Sequence, residues 1–135
     1  MRKRIVTLTA ALTAVAGAGV VSAAAFDASP AAASNPPCYV KTDRSLYCGN
    51  VAGVPLRARP SYGTESNPVK AVDRLKSNPS WFKCYVIGQL HSGGNRVWYY
   101  TYGDVTHHWG YVPASYVYTP RDPMTTSGRT VRKCY

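Results

Sequence analysis

The residues able to do chemistry in this chain are few. They are four cysteines, three histidines and a surplus of tyrosine: 11 Tyr and 3 Trp against 2 Phe. A thiol nucleophile needs a free, deprotonated cysteine near a base, and Cys84 with His91 or His107 is the pair to weigh. Oxidation removes that chemistry, and an even cysteine count in a short exported chain reads as two disulfides. The favoured pairing is Cys48–Cys84, bracing the domain, with Cys38–Cys134 tying the termini together. Cys38–Cys48 with Cys84–Cys134 is the alternative. No Cys-x-x-Cys pair is present and His107-His108 lacks companions, so no metal site is expected. His107, His108 and Asp104 with a serine would make a hydrolytic triad, but no Gly-x-Ser-x-Gly elbow exists. Glycoside cleavage needs two carboxylates held across one bond. Beyond the N-terminal third only Asp43, Glu65, Asp73, Asp104 and Asp122 are available. Gly93-Gly94 lacks the Lys-Ser or Lys-Thr of a phosphate loop and reads as a turn. These absences lead us to expect a chain that is not an enzyme and carries no cofactor.

Binding is better supplied. Tyr and Trp offer flat, amphipathic contact area, and Tyr99, Tyr102, Trp109, Tyr111, Tyr116 and Tyr118 form the available set. Trp98 is expected in the core. The chain has 16 Lys and Arg against 6 Asp and Glu, a formal charge of +10. Arg57, Arg59, Lys70, Arg74, Lys76, Lys83 and Arg96 make one basic field, and Arg129, Arg132 and Lys133 a second.

The N-terminal third has a different composition. Arg2-Lys3-Arg4 precedes an uncharged stretch over residues 5–26, and Ala31-Ala32-Ala33 precedes Ser34. Basic start, apolar middle and small residues at the end are the order of a secretory leader. Residues 1–33 are therefore expected to be cleaved, with no stable membrane insertion afterwards. The remaining chain keeps 13 basic and 5 acidic residues, formally +8, and all four cysteines.

The elements that must position these residues are short. Residues 34–53 read as an N-terminal arm. Val54, Leu56 and Ala58 alternate between Pro55 and Pro60, as in an edge strand. Residues 61–68 are a loop. Val69, Val72 and Leu75 are spaced for a helix face, but the stretch is only two turns long and stays ambiguous. Trp-Phe-Lys-Cys-Tyr-Val-Ile over 81–87 reads as one strand. Ser92-Gly93-Gly94-Asn95 is a turn. Over 97–102, period 2 puts Trp98, Tyr100 and Tyr102 on one face and Val97, Tyr99 and Thr101 on the other. Tyr99 and Tyr102 thus fall on opposite sides. Short strands at 109–112 and near 117 follow, then a polar tail over 119–135 that Cys134 would pin back. Many short strands between Gly and Pro turns predict an all-β barrel or sandwich.

Leu56-Arg57-Ala58-Arg59-Pro60-Ser61 resembles the opening motif of bacterial SH3-like domains. Val97-Trp98-Tyr99-Tyr100 is similar to that family's Trp-bearing strand. Trp109-Gly110-Tyr111-Val112-Pro113-Ala114-Ser115-Tyr116-Val117 resembles its closing element, although the usual Gly-Trp-Val stands here as Gly110-Tyr111-Val112. Cys84-Tyr85-Val86-Ile87-Gly88 is similar to a cysteine-bearing strand of exported actinobacterial members. The resemblance covers about residues 54–118. It implies a small SH3-like barrel with disulfide-tethered terminal segments and a non-catalytic role. Such domains commonly hold wall enzymes on peptidoglycan. The expected partner is peptidoglycan or an anionic wall polymer, with a secreted protein as the alternative. Export argues against nucleic acid as a partner, though positive charge would attract it. The ligand-binding set expected on these grounds is Tyr99, Tyr102, Trp109, Tyr111, Arg57 and Arg59.

Overall fold

Residues 36–135 are described by the structure, a computed structural model. The leader expected over 1–33 lies outside the described residues. The described chain is all-β, as expected. Strands β1 (Cys38–Val40), β2 (Leu46–Cys48) and β5 (Ser80–Phe82) form one sheet in the order β1-β2-β5. Strands β3 (Val54–Arg57), β4 (Ala71–Leu75), β6 (Cys84–Ile87), β7 (Val97–Tyr102) and β8 (Trp109–Pro113) form a second, in the order β4-β3-β8-β7-β6. A last hairpin joins β9 (Thr125–Thr126) to β10 (Arg129–Thr130), and a 3-10 turn spans Ala114–Tyr116.

Alternation decides which side chains meet in the middle. Val54, Leu56, Leu75, Val97, Tyr99 and Val112 of the larger sheet pack against Val40, Leu46 and Phe82 of the smaller one. Met124 and Val131 fill the gap from the C-terminal hairpin. The arm expected over 34–53 is thus more than a tether, because Val40, Leu46 and Cys48 are core residues. The ambiguous stretch before Leu75 is a strand, paired to β3 with a bulge between Leu56 and Arg57. Two helical turns cannot stabilise themselves, whereas β3 offers a ladder. The single strand expected over 81–87 is broken at Lys83. Its N–H donates to the Tyr100 carbonyl at 2.8 Å, and the chain passes from the smaller sheet into the larger at that point.

The barrel expected from the resemblance is not closed, since β4 and β6 end the five-stranded sheet without pairing to each other. Both ends are partly covered instead, which blunts an edge that closure would remove. Arg74 of β4 accepts the Asp104 N–H at 2.9 Å. Along β6, the Tyr85 N–H donates to Arg132 at 3.0 Å and the Tyr85 carbonyl accepts from Cys134 at 2.8 Å.

That last pairing explains the disulfides. The bonds are Cys38–Cys48 and Cys84–Cys134, so the favoured pairing of Cys48–Cys84 with Cys38–Cys134 is corrected. Strand register decides it: Cys38 and Cys48 lie directly opposite each other in the β1–β2 ladder. The C-terminal segment beside β6 brings Cys134 to Cys84. One bond links neighbouring strands of the smaller sheet, and the other fastens the C-terminal segment to the larger one.

Candidate binding face

The outer sides of the two sheets carry two clusters of aromatic rings, set side by side by strand register. On the larger sheet, register pairs Tyr102 with Trp109 and Tyr100 with Tyr111. Tyr100 stacks on Trp109 with centroids 5.1 Å apart and planes 21° from parallel. Tyr102 lies 5.2 Å from Trp109, and Tyr111 lies 4.8 Å from Tyr100. Around the corner, Trp81 meets Trp109 edge-on at 6.1 Å. Register then sets Trp81, Tyr47 and Tyr39 side by side across the smaller sheet, with Tyr39 5.7 Å from Tyr47. Tyr39, Tyr102 and Trp109 are 45, 43 and 40 % exposed, large fractions for such rings.

Two of the rings, Trp81 and Trp109, are held by further local contacts. The Trp81 indole N–H donates to Ser45 Oγ at 2.9 Å. Lys83, at the bend between sheets, sets its Nζ 5.2 Å from the Trp109 centroid, a cation–π contact. Burial, with the neighbouring Tyr135 and Tyr100, pushes the Tyr111 phenol up to about 12, so it stays a neutral hydrogen-bonding group.

The loop that delivers Trp109 hangs on one carboxylate. Asp73 points inward from β4 and is buried. Its Oδ1 accepts N–H groups from Arg74, Val105 and Thr106 at 2.7, 3.1 and 3.0 Å, and its Oδ2 accepts that of His108 at 2.9 Å. Burial alone would raise its pKa, but the four donors outweigh it and hold the carboxyl well below the ordinary 3.8. Gly103 is required beside it, because a Cβ there would collide with the Asp73 carboxylate.

The expected binding residues divide. Tyr102, Trp109 and Tyr111 are in the aromatic series. Arg57 is opposite Tyr111 in the β3–β8 ladder, donating to the Val69 carbonyl at 2.9 Å and lying 5.5 Å over the Tyr62 ring. Arg59 is exposed in the following loop. Tyr99 is corrected: it is fully buried. Its hydroxyl donates to Asp122 Oδ1 at 2.9 Å and accepts the Met124 N–H at 3.0 Å. Burial first, then the Asp122 charge, raises the Tyr99 phenol far above its usual pKa. Trp98 is buried as expected, on the outer face under Tyr62 and His91, with its indole N–H on the Gln89 carbonyl at 2.8 Å. Tyr39, Tyr47, Trp81 and Tyr100 were not foreseen. Their signal was available, since each alternates with a core residue in its own strand.

The catalytic pairs considered from sequence have other engagements. Cys84 is in a disulfide, and His91 is buried with Nε2 on the Val97 carbonyl at 2.9 Å and Nδ1 accepting from Gly93 at 3.1 Å. His107 stacks on Tyr102 at 5.9 Å, and His108 Nδ1 meets Thr106 Oγ1 at 3.0 Å. Asp104 Oδ2 accepts from the Lys76 and Ser77 backbones at 2.6 and 2.8 Å. A cavity of about 340 Å³ is lined by Ala71, Val72, Asp73, Arg74, Val105 and Thr106, and neither exposed histidine lines it. Among the described residues, no three His, Cys, Asp or Glu side chains converge as metal ligands. No protein-family model, curated protein or solved structure matches this chain.

Proposed function

We propose that the chain is an exported, non-catalytic binding module that associates with the cell wall, through peptidoglycan or its anionic polymers. One observation carries the reading: an outward aromatic series from Tyr39 to Tyr111, aligned by strand register, on a chain with a large basic excess. Rings held edge-on and stacked by their neighbours keep contact area in water, and such area suits the apolar faces of sugars and the stems of wall peptides. Positive charge concentrates the protein near anionic polymer.

Three further features support it. The two disulfides fit an oxidising compartment outside the cytoplasm. The motifs over 54–118 resemble bacterial SH3-like domains, and the leader pattern over 1–33 routes the chain outward.

Co-sedimentation with purified peptidoglycan, at low and physiological salt, tests the proposal. The protein is expected in the pellet at both, more strongly at low salt. A Tyr102→Ala/Trp109→Ala variant is expected to lose about tenfold in affinity, some 1.4 kcal/mol, while keeping its far-UV spectrum. A wild-type protein that stays in the supernatant at both salts overturns the reading. Saturable capture of one secreted protein, unaffected by added wall fragments, would replace it with the protein-partner alternative.

A further inference from the structure

The aromatic series ends at Tyr39, and Tyr39 is also one wall of a groove of about 490 Å³. Lys41 and Thr42 continue that wall, and Thr126, Ser127 and Arg129 form the other. All of these residues lie outside the span that resembles a known family.

The groove is built by local chemistry. Strands β9 and β10 pair across Ser127-Gly128, both with positive φ, at 51° and 74°. Two such residues make the tight hairpin turn that matches strand twist. Thr126 Oγ1 accepts the Val40 N–H at 2.6 Å, which fixes the hairpin against β1. On its other side, Arg44 Nε donates to the Thr130 carbonyl at 3.1 Å, and the Arg132 N–H to Arg44 at 2.9 Å. The walls are therefore set before any ligand arrives. They present two cations, three side-chain hydroxyls and an aromatic ring. The nearby acid, Asp43, accepts the Ser45 N–H and hydroxyl at 2.9 and 2.6 Å, with the Lys41 and Arg132 charges also acting on it. Those bonds hold its carboxyl below the ordinary range, and it is absent from the groove walls.

We infer that this groove takes the carboxylate or phosphate of an acidic sugar strand whose neighbouring ring lies on Tyr39, so that groove and aromatic series form one track for an acidic polysaccharide. The guanidinium fork of Arg129 and the ammonium of Lys41 match either oxyanion. The hydroxyls of Thr42, Ser127 and Thr126 serve the sugar's own hydroxyls, and Tyr39 serves its apolar face. The inference rests on the aromatic series being a binding face, and it adds where the ligand's oxyanion is held, in the groove beside Tyr39 and not across the basic surface at large.

Calorimetry on the disulfide-intact chain at low salt separates the two claims. The probes are an oligogalacturonate, a phosphorylated dextran of similar length and a neutral chito-oligosaccharide. Lys41→Gln/Arg129→Gln is expected to weaken the better of the two anionic probes about tenfold, as two charge-assisted bonds are lost. It should leave the neutral probe unchanged. Lys76→Gln/Arg96→Gln removes equal charge elsewhere and should weaken the anionic probes less than about twofold. Tighter binding of oligogalacturonate or of phosphorylated dextran identifies the oxyanion, and either supports the track. Three results overturn it: equal losses in the two double variants, no binding of either anionic probe, or duplex DNA competing as well as the sugars. Trp109→Ala with no effect on the neutral probe sinks the aromatic face by itself, whatever the groove variants do.

Discussion

The two sides of strand β7 use the same residue type for opposite ends. Tyr99 faces inward and is sealed beneath Met124 and Phe82, its hydroxyl shared between Asp122 and the Met124 backbone. Tyr100 and Tyr102 face outward, with Trp109 between them. A buried phenol must have its polar end satisfied by protein. An outward one leaves that end to water, and its ring is free to be covered by something else. The tyrosine surplus is therefore two populations, one that holds the fold and one that has no structural duty of that size.

Substitution should separate them. Tyr99→Ala empties the core and leaves the Met124 N–H without its acceptor, although Asp122 keeps Thr119 and Asn95, and is expected to cost about 3–5 kcal/mol in denaturant unfolding. Tyr102→Ala should change stability by under about 1 kcal/mol. A comparable loss from both would erase the distinction. The disulfides come next. Loop-closure entropy gives about 4 kcal/mol for Cys84–Cys134, which encloses 50 residues, and about 3 for Cys38–Cys48, which encloses 10. Replacing each pair with serine and comparing midpoints should preserve that order. Tyr99→Phe keeps the ring and removes only the hydroxyl, so about 1–3 kcal/mol should go. Tyr100→Phe, on the outer side, should be near neutral in the same unfolding experiment.

The acid response sharpens the picture further. Asp73 is held below its ordinary pKa in the folded chain. A lowered folded value means that its contribution is complete above about pH 4 and is lost as pH falls further. Wild-type stability should therefore drop steeply on acidification below pH 4, as the loop that carries Trp109 comes loose. Asp73→Asn should be weaker at neutral pH and show a shallower slope below it. Identical slopes would mean that Asp73 is not the anchor.

Which side of β7 faces outward was not legible, and the separation of Tyr99 from Tyr102 is all that followed from alternation. The depth of Tyr99 did not, because its cover comes from Met124 and Val131, in a tail whose Pro, Thr and Arg content looks solvated. The two-residue Ser127-Gly128 turn was the trace of that hairpin. The break at Lys83 was marked only by one charged residue in a run otherwise rich in aromatic and β-branched side chains, since it is imposed by the meeting of two sheets. Disulfide pairing depended on which strands lie side by side, and spacing along the chain carries no such information. The groove beside Tyr39 was hidden for the same reason: residues 39–42 and 126–129 meet only when the tail folds back.

The segment running beside β6 has a consequence for handling the protein. It occupies the Tyr85 N–H and carbonyl that would otherwise face solvent. Trimming residues 132–135 would remove the Cys84–Cys134 bond and expose a bare ladder position next to Ile87, itself uncovered. Such a shortened chain would be prone to recruit its own copies edge to edge, turning a dispersed protein into a self-associating one before any loss of helix-free, β-rich spectrum was visible.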